Sequence, residues 1–217
     1  MLSILDLIMP CVSLQKFIDQ VRVGEALVSF PTDTVPALAA RPDQGQRIYM
    51  TKGRPSTKPL ILMAATLTDL LPYLTGSAAD IAEWQEVTAQ YWPGALTLVL
   101  PASDRVPVAM NTQPIGTLGV RVPNHPLACY LLARTGPLAT TSVNLSGQPP
   151  LKDMTAIATQ FPQVLTLSEA AISTVTADIG DFTLDASGIP STVIRWQING
   201  WKVLRQGAVD ATSLTGM

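Results

Sequence analysis

The sequence predicts a mixed α/β fold of the α+β kind: a single domain with a twisted, mixed β-sheet flanked by helices. Three observations carry this expectation. Short apolar runs of strand length alternate along the chain with segments of helical periodicity. No internal repeat or long linker interrupts that alternation. The 217 residues are 47% apolar with a mean hydropathy of +0.28, enough to bury one sizeable core.

From Val12 to Val23, residues Leu14, Phe17, Ile18 and Val21 fall at i, i+3, i+4 and i+7, a helix with Ser13 as cap and Gly24 as its end. ALVSF (26–30) reads as a short buried strand, and Pro31 opens a loop, PTDT. A helical stretch around Gln44–Thr51 leads into TKGRPSTKPL (51–60), and PLILMA (59–64) is a strand. Ser77 with Asp80 forms a capping-box pattern ahead of a helix that stops at Trp92-Pro93-Gly94. ALTLVL (95–100) and TLGVRV (117–122) are strands, and His125–Arg134 is helical with Pro126 in its first turn. PLATTS (137–142) is a strand running into the turn-rich NLSGQPP. A helix near Asp153–Phe161 and strands near 164–167, 191–196 and 201–205 complete the chain. Residues 10–207 form the expected domain, with 1–22 as its helical lead-in and 208–217 as a tail.

Fourteen Lys and Arg stand against sixteen Asp and Glu, and the pI is near 5.3. Wholesale electrostatic capture of nucleic acid is disfavoured, while a local basic groove is allowed. Cys11 and Cys129 make neither a metal-ligand cluster nor a disulfide framework. They read as small buried hydrophobes of a reducing compartment. MLSILDLIMP lacks a cationic leader, and no apolar run approaches the ~18 residues of a membrane span. A cytoplasmic protein without a membrane partner is expected.

The chain contains no GxxxxGK[ST] loop and no GxGxxG fingerprint. Its single histidine, His125, excludes a metal site built on several imidazoles, and a helix-start or turn role explains VPNHP better than a catalytic triad. Positive charge is concentrated instead in residues 51–60, where Lys52, Arg54 and Lys58 fall within seven positions between prolines. In extended backbone, Lys52 and Arg54 would project to one side as a paired ammonium and guanidinium, a match for phosphate oxygens. The spacing alone supports that reading and a solvated surface loop equally. TTSVNLSG repeats the i, i+2 pattern with Ser142 and Asn144 at a strand end, and PTDTV offers the hydroxyls of Thr32 and Thr34 after another. Arg121 and Arg205 are further cations at sheet margins. Together these residues point to an anion site of nucleotide type.

FPTDTVPAL, KGRPSTKPLIL, GVRVPNHP, TTSVNLSG, and STVI with LRQG occur in the order expected of the YrdC/Sua5 family of threonylcarbamoyl-AMP synthases, which the chain resembles from about Val23 to Gly207. The resemblance implies a YrdC/RibB-like fold with a concave, basic sheet face. It implies a nucleotidyltransferase that joins L-threonine, bicarbonate and ATP into threonylcarbamoyl-adenylate and pyrophosphate, for the t6A modification of tRNA. Carried over by motif, Lys52, Arg54, Ser142 and Asn144 are the signature tetrad. Arg54, Lys58, Thr117, Asn144 and Arg205 match the ATP site; Thr34, Arg121, Ser142 and Ser191 surround the threonine, with Thr32 a secondary candidate. Mg²⁺ is expected on the ATP phosphates, and the t6A transfer machinery, with tRNA, as partner. Pro36-Ala37-Leu38-Ala39 stands where members usually read YGLG, and Met63 where some carry histidine. No segment after Gly207 is long enough for a Sua5-type extra domain, so a short, YrdC-like form is expected. Two other readings use the same residues: a double-stranded RNA or tRNA binder, and a paralogue making a different carbamoyl-adenylate.

Overall fold

The computed structural model describes residues 11–110, 116–198 and 200–211; the first ten residues of the lead-in and the last six of the tail lie outside them. Ten strands form one mixed sheet: β1 (Cys11–Val12), β2 (Leu27–Phe30), β3 (Ala37–Ala40), β4 (Ile61–Met63), β5 (Leu96–Pro101), β6 (Thr117–Arg121), β7 (Leu138–Ser142), β8 (Val164–Leu167), β9 (Thr192–Gln197) and β10 (Gly200–Arg205). Their order across the sheet is β1-β8-β2-β3-β7-β4-β6-β5-β9-β10. Antiparallel ladders join β2 to β3, β7 to both β3 and β4, β5 to β6 and β9 to β10. The remaining neighbours are parallel.

The helices are α1 (Leu14–Val23), α2 (Gly45–Lys52), α3 (Leu67–Leu70), α4 (Ala78–Tyr91), α5 (Pro126–Thr135), α6 (Met154–Gln160) and α7 (Glu169–Ile179). Ser13 caps α1 through Lys16 N, and Gly24, at φ 85°, ends it. Ser77 and Asp80 form the reciprocal capping box of α4. His125 is the N-cap of α5, its Nδ1 accepting from Ala128 N at 3.5 Å, so the lone histidine is a helix-start residue. Four elements go beyond the sequence expectation: β1, which takes Val12 from the start of the expected helix, β3, the short α3, and α7. The expected strand over 59–64 contracts to Ile61–Met63, because Pro59 has no N–H and Leu60 N bonds Met110 O outside the sheet.

One sheet face is covered throughout. Leu38, Leu62, Leu98, Leu118, Val120 and Ala139 pack there with Ile48 of α2, Leu70 of α3, Trp84 of α4 and Ile157 of α6. On the other face, Val28, Ala37, Ala39 and Leu138 meet Phe17 of α1, Leu127 and Leu131 of α5 and Val175 of α7. That second cover runs from β1 and β8 through β2, β3 and β7 and stops at Met63 of β4. The row of paired residues Thr140, Ile61, Gly119, Val99 and Arg195 continues past it. Directly paired residues share a face, and from Ile61 onward this row is half-buried. The open half is where the expected site residues gather. Among the described residues no helix is long and apolar enough to cross a membrane.

Candidate active site

Loop 31–36 leaves β2 and folds on its own hydroxyls. Thr32 Oγ1 donates to Val35 O at 2.7 Å and accepts from Thr34 N at 3.2 Å, and the two hydroxyl oxygens lie 3.1 Å apart. Thr32 and Thr34 are both buried. Facing them is Arg121, the last residue of β6. Its Nη1 donates to Thr34 Oγ1 at 2.8 Å, its Nη2 to Asp33 Oδ1 at 2.6 Å, and its Nε to Gly94 O at 2.9 Å. Burial lowers the Arg121 pKa from the ordinary guanidinium value; Asp33 opposes the shift and Arg205 adds to it.

The far wall comes from the C-terminal hairpin. Arg205 Nε and Nη2 both donate to Ser191 O, at 3.2 and 2.7 Å, while Ser191 Oγ lies 2.8 Å from Thr97 Oγ1. Gly207 is required behind it: a Cβ there would stand 2.3 Å from Pro190 O. The third wall is β7 with its following loop.

The expected side-by-side display of Lys52 and Arg54 on extended backbone is corrected. Lys52 is the final residue of α2, Gly53 caps it in the left-handed region at φ 57°, and Arg54 N returns to Tyr49 O. The chain therefore turns between the two cations and sends them different ways. Arg54 stays half-buried, its Nε and Nη2 near Lys58 O and Pro59 O. Lys52 points inward and is 2% exposed. Its Nζ donates to Ser142 O and, at 2.9 Å, to Asn144 Oδ1. Ser142 Oγ donates to the same Oδ1 at 2.6 Å, and Asn144 Nδ2 is used by Leu145 O and Gln148 O. Desolvation, and then the nearby Arg54, push the Lys52 pKa down to about 7.

These elements enclose a hollow of about 180 Å³ lined by Thr32, Thr34, Arg54, Arg121, Ser142, Ser191 and Arg205, with Pro36, Ala37, Ile61 and Met63 as its apolar side. Lys52 and Asn144 stand behind Ser142 and brace it. Lys58 is exposed, and Thr117 lies two steps from Gly119 on the open sheet face; neither lines the hollow. Sequence reasoning passed over Asp33, Gly94, Thr97, Gly119 and Arg195. A carboxylate between two hydroxyl residues was the available signal for Asp33. Among the described residues, no three or more His, Cys, Asp or Glu gather as a metal-ligand group.

The Sua5/YciO/YrdC family model, described as "Telomere recombination", matches residues 20–207. The threonylcarbamoyl-AMP synthase of Vibrio vulnificus is 39% identical over 153 residues, covering 69% of this chain and 81% of that protein. The protein of the same name from Bacillus subtilis is 42% identical over 127 residues, 57% of this chain but only 36% of its relative's length. The structure of P. abyssi Sua5 complexed with L-threonine superposes with a TM-score of 0.73 at 31% identity, over 89% of this chain and 53% of that one. E. coli YciO superposes at 0.72 with 25% identity, over 95% and 97% of the two chains.

Proposed function

The chain belongs to the Sua5/YciO/YrdC family, and we propose that it is a threonylcarbamoyl-AMP synthase, a nucleotidyltransferase acting on L-threonine, bicarbonate and ATP. The observation that carries this reading is the convergence of Arg54, Arg121, Arg205 and the hydroxyl side chains of Thr32, Thr34, Ser142 and Ser191 from remote stretches around one hollow. At about 180 Å³ the hollow suits an amino acid with a one-carbon unit, not a whole nucleotide. The open half-sheet beside it, from Ile61 across Gly119 to Val99, gives the nucleoside a surface to lie on, with Thr117 and Lys58 at its margin. A relative solved with L-threonine supports the amino-acid assignment.

The chemistry follows from charge. The threonine amine and bicarbonate condense to an N-carboxylate with loss of water. A carboxylate oxygen then attacks the α-phosphorus, the bond to the β-phosphate oxygen breaks, and pyrophosphate departs. Two anions must meet, so fixed cations are the main requirement. Arg54 and Arg205 supply them on the phosphate side. Arg121, Thr32 and Thr34 hold the amino acid, and Ser142, braced by Lys52 and Asn144, orients the carbamate between them. Among the described residues the lining offers hydroxyls and guanidiniums but no carboxylate, so Mg²⁺ would be held by phosphate oxygens and water. It would contribute charge neutralisation to the departing pyrophosphate. The product is a labile mixed anhydride, which fits transfer to the t6A machinery and tRNA. The test is pyrophosphate release from ATP by purified protein: release should require both threonine and bicarbonate, and release indifferent to either one refutes the reading.

The pairing of Arg195 with Lys202 on the same open face favours RNA as a second class of ligand. Such binding should be salt-sensitive and lost with Arg195→Ala and Lys202→Ala, while turnover persists.

A further inference from the structure

Asp33 has no role in the steps above, yet it is the carboxylate that meets Arg121. The two side chains are 17% and 5% exposed, which makes this ion pair nearly buried. Asp33 is itself held firmly, because its carbonyl accepts from Ser187 N at 3.2 Å and the next carbonyl, of Thr34, accepts from Gly188 N at 2.8 Å. A guanidinium has five N–H donors. Asp33, Thr34 and Gly94 take one from each nitrogen, so their contacts leave one N–H on each terminal nitrogen of a side chain that lines the hollow. Two such donors match the two oxygens of a carboxylate. Arg205 repels Arg121 from the opposite wall. Without a carboxylate behind it, Arg121 would be a buried, unpaired cation free to swing out of register.

We propose that Asp33 is a positioning residue: it clamps the Arg121 guanidinium against Thr34 and Gly94 so that the two remaining N–H groups form a fork for the amino acid's α-carboxylate. The proposal rests on the amino-acid reading of the hollow. It also divides the site by charge. Asp33 cancels Arg121, so the amino-acid end is neutral overall and receives a zwitterion, while Arg54 and Arg205 remain cationic for phosphate.

The experiment is calorimetric titration of the full chain with L-threonine and with L-threoninol, which lacks the carboxylate. Asp33→Asn keeps size and an acceptor but removes the charge. It should weaken threonine binding by about tenfold or more, the loss of a charge-assisted pair, and leave threoninol binding as it was. Arg121→Lys, which keeps the charge and loses the fork, should show the same selective loss. The double variant should bind threonine no worse than Arg121→Lys alone, since both changes remove one contact. Equal loss of both ligands, no loss of either, or additive losses in the double variant overturns the positioning role. If the unaltered protein binds neither ligand, the amino-acid reading itself fails, an outcome distinct from failure of Asp33 alone.

Discussion

Lys52 carries an ammonium into a place where its partners are a carbonyl and an amide oxygen and where Arg54 repels it. The folded protein therefore releases that proton near pH 7, whereas the unfolded chain keeps it to about 10.5. Between those values the unfolded state binds more protons, so stability rises with pH. Urea unfolding of the protein and of Lys52→Met, at about pH 6 and about pH 9, should show the difference moving in favour of lysine at the higher pH. A flat difference would mean that the ammonium is not desolvated. Arg54→Ala and Ser142→Ala act on the lining of the hollow itself. Each should lower threonine-dependent pyrophosphate release on the order of 10²–10³-fold, as loss of a well-placed donor does. Every side chain that lines the hollow as a cation was visible in the sequence as a charge interrupting an apolar or proline-rich stretch. Asp33 showed only as a carboxylate between two hydroxyl residues; its pairing with Arg121 did not show, because the partner lies 88 positions away.

Secondary elements were legible where the stop and start signals are chemical. Ser77, Asp80 and Trp92-Pro93 bound α4 in the sequence and in the fold. Ser77→Ala should cost about 1 kcal/mol by thermal or urea unfolding while turnover is unchanged, since α4 lies on the covered face away from the hollow. β3 was invisible because Ala37-Leu38-Ala39-Ala40 has little intrinsic strand preference. It is a strand only because β2 and β7 hydrogen-bond both of its edges. α7 was hidden by Ile172, Thr174, Val175 and Thr176, whose branched side chains disfavour helix; the Ser168 cap and burial of Ala171 and Val175 hold it. In β6 a strand-interior glycine needs a reason, and the open floor beside the hollow supplies one. Gly119→Val places a branched side chain there, against Ile61. It should lower the melting temperature modestly, because Ile61 must give way, and raise the KM for ATP about tenfold, read by initial-rate assay.

Across the whole molecule the net charge is −2, yet Arg54, Arg121, Arg195, Lys202 and Arg205 all belong to the hollow or to the open sheet face. A slightly acidic protein with one cationic concavity draws a polyanion to that place and repels it elsewhere. ATP affinity should therefore fall as salt is raised past the point where the Debye length drops below ~10 Å, and Arg205→Ala should flatten that dependence. The order of strands was the part of the architecture least accessible from sequence. Alternating elements announce a mixed sheet, but nothing in PLATTS says that it runs between β3 and β4, the latter paired 79 positions earlier and the former earlier still. That placement has a consequence for biosynthesis. Once the ribosome has delivered the chain as far as β6, β3 and β4 each carry a bare edge whose missing neighbour has yet to be translated. Emergence of residues 138–142 seals both seams at once and delivers Ser142 to its bracket, so a chain stalled before that point is sticky and inert together.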